Sequence, residues 1–143
     1  IPRWLKFFKY MTTICLTGTF LVVLFILTPM FEFNYGYLLF HNELLYQHLL
    51  CPVLSIITFI FFDNISILKI KDTFYGISLT VVYAIILITL NYLKLVSGPY
   101  PFLMVYNQSL FMSIFWLITI LGLAYLIAFL LRKIYIKINK ISE

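Results

Sequence analysis

Charge is what this sequence has least of. Only 10% of its 143 residues are charged, while 64% are hydrophobic and the mean hydropathy is +1.06. A soluble domain carries about 25% charged residues, so this chain cannot cover a water-facing surface. Cysteine is scarce as well. Cys15 and Cys51 both fall inside apolar runs, and the topology derived below puts them in opposite leaflets, beyond the reach of a disulfide. Each reads as a small apolar residue. CxxC and HExxH motifs are absent, and His41, Glu43 and His48 do not share a helical face at i, i+4 spacing. No metal site and no cofactor are expected on these grounds. The sequence also lacks repeats, low-complexity tracts and long linkers, so residues 1–143 read as one domain.

What it does have is long charge-free runs. No charge lies between Lys9 and Glu32, Glu43 and Asp63, Asp72 and Lys94, or Lys94 and Arg132, intervals of 22, 19, 21 and 37 residues. A membrane-spanning helix needs roughly 20 apolar residues. The last interval is broken by Ser97-Gly98-Pro99-Tyr100-Pro101. Four spans follow, near 10–30, 44–62, 73–93 and 108–131. A β-barrel strand alternates polar and apolar residues, and the block Leu21-Val22-Val23-Leu24-Phe25-Ile26-Leu27 does not. The expected fold class is therefore all-α, a polytopic transmembrane helical bundle. Arg3, Lys6 and Lys9 precede an apolar stretch longer than the roughly 7–15 residues of a secretory leader, so the first run reads as a span. Because the sequence opens on Ile1-Pro2 rather than methionine, it is read as part of a longer protein.

Basic residues of short loops stay on the cytoplasmic side. Arg3, Lys6, Lys9, Lys69, Lys71, Arg132, Lys133, Lys137 and Lys140 fall on one side of four alternating spans, and only Lys94 on the other. Both ends are thus expected to be cytoplasmic, with residues 132–143 continuing the last helix as an amphipathic extension. Topology accounts for the net charge of +5, and no nucleic-acid partner is implied. Trp4, Tyr10, Tyr35, Tyr37, Tyr92, Tyr100, Tyr106 and Tyr135 lie near span ends, where half-polar rings act as interfacial anchors. Asn91 reads as a cap or interfacial contact. Ser109 with Ser113, and Gly122 with Ala124, read as small residues that let helices approach.

Candidate chemistry gathers on the outer side. His48, Cys51, Ser55 and Thr58 follow 3-4-3 spacing along the second span, one helical face, and Pro52 leaves the His48 carbonyl without its helical partner. One reading makes His48 a general base at the bottom of an outward-opening pocket. The other makes it an interfacial histidine bonded to a loop carbonyl. His41 and Glu43 read as loop residues able to orient it. Thr28, Cys51, Ser55 and Ser109 are within reach as hydroxyl or thiol partners, whereas Thr12, Thr13 and Thr17 lie too deep. The bland reading of each hydroxyl is a bond to its own helix backbone.

Three stretches carry a resemblance: Leu16-Thr17-Gly18-Thr19-Phe20, Tyr46-Gln47-His48-Leu49-Leu50-Cys51-Pro52, and Tyr100-Pro101-Phe102-Leu103. In these the chain resembles the androgen-induced membrane protein family and its bacterial relatives, whose animal members hydrolyse fatty-acid esters of hydroxy fatty acids with a threonine nucleophile and a histidine. The resemblance implies six spans, of which these would be the last four, and a place in a bacterial plasma membrane. It puts His48 in the place of the catalytic histidine. The threonine would precede Ile1, in a helix whose first residues lie level with His48. An acyl-ester substrate would enter among membrane lipids. It would lie in a groove between the second and fourth spans, with Thr28, Cys51, Ser55, Tyr100, Pro101 and Phe102 lining the pocket. Backbone amides of the Gly98–Phe102 loop would serve as oxyanion donors. The alternative is a non-catalytic membrane module, a transporter part or a partner subunit.

Overall fold

The computed structural model describes residues 2–63, 68–97, 100 and 103–141. These form helices without strands: α1 (Arg3–Met30), α2 (Tyr35–Phe40), α3 (Asn42–Phe61), α4 (Ile70–Tyr92) and α5 (Leu110–Ile138). Four of them, α1, α3, α4 and α5, are long and apolar enough to cross a membrane. The chain is an all-α helical bundle with the dimensions of an integral membrane protein. Their exposed leucines, isoleucines and phenylalanines, such as Phe25, Leu54, Ile85 and Ile118, are the surface expected of helices solvated by lipid tails.

Consecutive spans run antiparallel, as side-chain contacts at one end show. Tyr10, near the start of α1, stacks on Phe59 near the end of α3 at 5.5 Å and donates its hydroxyl to the Ala128 carbonyl, late in α5, at 2.6 Å. Gly76 of α4 lies against the same ring. One end of the bundle thereby collects all the basic clusters; it is called the basic end here, and the opposite one the far end. The basic-end core comprises Tyr10, Ile14, Phe59, Ile60, Leu68, Ala124, Ile127, Ala128, Leu131 and Tyr135.

Tyr10 and Tyr135 are therefore core residues rather than the interfacial anchors expected. Trp4, Tyr35, Tyr37, Tyr92 and Tyr106 are exposed. The extension of α5 also differs from a solvated tail. Arg132 is buried and its Nε donates to the Leu68 carbonyl at 2.8 Å. The Tyr135 hydroxyl donates to the Asp63 carbonyl, and Asn139 Nδ2 to the Ile60 carbonyl. Free carbonyls where α3 ends need donors, and the last turns of α5 supply them.

Two helices widen into π-turns, at Val23–Leu27 and Tyr46–Leu50, each just before a Thr-Pro or Cys-Pro pair. A proline ring collides with the carbonyl four residues back and offers it no N–H. Those carbonyls belong to Phe25 and His48, and each lies inside a widened turn. Thr28 N–H and Cys51 N–H bond five residues back, to Val23 and Tyr46. Helix starts are capped locally. Asn34 accepts from Tyr37 N–H, the Asp72 carboxylate from Lys69 N–H, and Ser109 from Met112 N–H. Ser109 is thus a cap, and Gly122 is exposed with open space before it. The close helix approach falls instead at Gly76, where a Cβ would lie 2.8 Å from Tyr10 Cε1.

Candidate functional site

His48 sits in the π-turn of α3, half-buried, with Nδ1 2.8 Å from the Leu38 carbonyl. A carbonyl only accepts, so Nδ1 carries the proton, and in the neutral imidazole the lone pair is on Nε2. The group that orients His48 is thus a backbone carbonyl of α2; His41 and Glu43 are exposed, and His41 packs on Tyr37 at 4.8 Å. Leu38 and Leu39 are buried with Val22, Val23 and Leu27 of α1 in a second apolar cluster, against which Tyr100, Leu103 and Trp116 pack. Apolar burial of α2 therefore fixes the His48 ring, one link removed. The same cluster seats Tyr100, which hydrogen-bonds with Thr19. Burial, with a smaller push from Tyr83, raises its hydroxyl above the ordinary tyrosine range despite that bond.

The other expected site residues divide. Thr28 is buried at the far end and spends its hydroxyl on the Val23 carbonyl at 2.6 Å. Cys51 is exposed. The buried face of α3 runs through Pro52, Ser55 and Phe59, so Cys51 lies beside the expected polar stripe rather than in it. Ser55 Oγ is 2.8 Å from Thr13 Oγ1 of α1, and Lys9 Nζ donates to Thr58 Oγ1 at 2.9 Å. Ser55 and Thr58 thus belong to a polar seam between α1 and α3 in the basic half, away from His48. Thr13, set aside from sequence as too deep, is Ser55's partner. Pro101 and Phe102, with Gly98 and Pro99, lie outside the described residues, and of the expected amide donors the two prolines have no N–H to give.

Asn91 was read as a cap, and it does more. Fully buried, it donates from Nδ2 to the Val96 carbonyl at 3.1 Å and accepts Val105 N–H on Oδ1 at 2.8 Å. One side chain thereby ties both limbs of the α4–α5 connection. A cavity of about 730 Å³ opens at the far end between α4 and α5, lined by residues including Ile88, Leu103, Ile114 and Leu117. The first segment of α4, Ile70–Gly76, packs closely on α5, while Ser78–Tyr92 largely diverges from it beyond the bend at Ile77.

Among the described residues no group of three or more His, Cys, Asp or Glu side chains could hold a metal ion. Chemically, the far end offers an oriented imidazole, a half-buried tyrosine and an apolar cavity. Compared with protein-family models, with curated proteins and with solved structures, the chain finds no match.

Proposed function

We propose that this chain is the histidine-bearing part of a membrane-embedded lipid-ester hydrolase, with His48 as general base at the outer face of a bacterial plasma membrane and both chain ends cytoplasmic. The observation that carries the reading is the 2.8 Å bond from His48 Nδ1 to the Leu38 carbonyl. It holds the ring in the tautomer a base requires, with the lone pair on Nε2. A hydroxyl nucleophile needs such a base because its own pKa leaves it inert at neutral pH. By the family resemblance, that hydroxyl belongs to a segment preceding Ile1. The acyl-ester substrate would be drawn from the surrounding lipid, with Tyr100, Pro101 and Phe102 over it.

A second reading, a non-catalytic membrane module, is favoured by one observation. The buried far-end hydroxyl nearest in type to a nucleophile, Thr28, is committed to the Val23 carbonyl. To decide between them, the full-length protein is purified with His48 intact or as His48→Ala. Both are then compared for labelling by a hydroxyl-directed fluorophosphonate and for fatty-acid release from acyl esters. A base contributes about 10²–10⁴-fold, so the hydrolase reading expects a loss of at least about a hundredfold. Equal turnover in the two proteins discards it.

A further inference from the structure

The groove between α4 and α5 has features that the His48 reading does not use. It is walled by Ile88, Leu103, Leu110, Ile114 and Leu117, and its volume of about 730 Å³ lies within the roughly 300–1,000 Å³ of small-molecule sites. At its mouth stands Lys94, whose Nζ is 5.9 Å from the centre of the Tyr106 ring. Among the described residues Lys94 is the one lysine or arginine at the far end of the bundle. It takes the left-handed conformation (φ 55°) just after α4, with its N–H on the Asn91 carbonyl at 2.9 Å. The Asn91 side chain holds the Val105 limb that carries Tyr106. The cation and the ring at the mouth are therefore positioned by a single buried asparagine.

We propose that this groove binds one fatty acid, its acyl chain between α4 and α5 and its carboxylate on Lys94. Charge complementarity selects the occupant. Among the described residues the lining contains one cation, no carboxylate and no guanidinium. The bidentate fork of arginine that best matches a phosphate headgroup is missing from the described lining, while a single ammonium is enough to pair the one charge of a carboxylate. The apolar walls fit a chain but do not select one, because lipid tails already surround it with equally apolar contacts. Preference for the acid over its neutral ester must therefore come from Lys94. The proposal is independent of whether His48 acts as a base.

The test uses full-length protein in neutral phosphatidylcholine nanodiscs, in both the native and His48→Ala forms, so that turnover plays no part. It is irradiated with a diazirine-bearing palmitic acid or with the methyl ester of the same probe, at a pH where the acid is ionised. Native protein should label more strongly with the acid, at peptides carrying Tyr92, Leu110 or Ile114. Lys94→Gln should cut acid labelling about three- to fivefold, the upper range for a solvent-accessible ion pair, and leave the ester unchanged; Lys94→Arg should retain it. Ile114→Trp, which fills the groove, should abolish labelling there by both probes. The elution profile and melting temperature of each variant verify its fold. Equal labelling by acid and ester in native protein, or label confined to other helices, overturns the proposal. So does finding the groove cross-linked to another segment of the full-length chain, which would make it an internal interface.

Discussion

Substituting Gly76 with alanine should unsettle the whole basic end of the bundle. The added Cβ would lie 2.8 Å from Tyr10 Cε1 and 2.9 Å from Ile14 Cδ1, where ordinary contact is 3.4–4 Å. Ile14 Cδ1 ends a flexible chain and can turn, although Ile14 is itself buried. The Tyr10 ring cannot move cheaply. It is fully buried, stacked on Phe59, and its hydroxyl is tied to the Ala128 carbonyl at 2.6 Å. Overpacking of this kind costs about 1–3 kcal/mol, and replacing a helical glycine returns about 0.5–1 kcal/mol. The net expectation is a loss of about 1 kcal/mol, and of no more than about 2.5 kcal/mol, read by reversible unfolding in mixed detergent micelles. Ile14→Val removes the Cδ1 atom, so in the Gly76→Ala background it should recover only part of the loss; residues in contact couple this way. Gly122→Ala is the control. Nothing lies within 4 Å of its Cβ, so it should be neutral or slightly stabilising. A Gly76→Ala protein as stable as native, or a Gly122→Ala protein equally damaged, would refute the reasoning.

Three further outcomes can be checked on the same preparations. Burial raises the Asp63 carboxyl above its ordinary range, and Lys9 and Lys6 offset this only in part; one of its oxygens is buried without a hydrogen bond. The folded state then holds the proton more tightly than the unfolded one, so stability falls as pH rises from about 3.8 through the raised value. Melting curves of native and Asp63→Asn protein should therefore diverge in favour of asparagine with rising pH; divergence in favour of aspartate contradicts this. Asn91→Ala removes two bonds to backbone groups, one on the half-buried Val105 and one on the exposed Val96, and should cost about 1–3 kcal/mol, while speeding amide exchange at Val105; unchanged exchange argues against the clamp. Tyr10→Phe keeps the ring and removes one of the two bonds to the Ala128 carbonyl, which still accepts within its own helix, for a loss of about 0.5–1.5 kcal/mol in the same unfolding assay.

The helices were legible because their cause is local. Charge-free runs of the right length can satisfy their backbones in lipid only as helices, and Pro52 announced the distortion at His48, while the same effect of Pro29 at Phe25 went unread. What sequence could not supply was the pairing between distant residues. Ser55 and Thr58 share a face of α3 at helical spacing, yet their partners are Thr13 and Lys9, more than 40 residues away. Arg132 counts as one more cytoplasmic charge in a topology sum, while its guanidinium is buried on the Leu68 carbonyl. Tyr10 and Tyr135 have the composition of interfacial anchors and the burial of core residues. The His48 anchor was half foreseen, as a carbonyl of the preceding connection, but not that the connection would itself be a helix capped by Asn34. Gly76 carried no signal apart from being a glycine inside a span. Its role depends on where the Tyr10 ring packs.

The claim on which the site, the groove and their access from outside all depend is the direction of the four crossings. Single cysteines at Lys71, Lys94 and Lys140, placed in a Cys15→Ser, Cys51→Ser background, can be labelled in intact cells with a membrane-impermeant maleimide. The expected result is labelling at position 94 from outside, and at 71 and 140 only after permeabilisation. Labelling at 71 or 140 in intact cells with 94 protected would invert the bundle, and labelling of 71 and 94 from the same side would contradict the four-span fold itself.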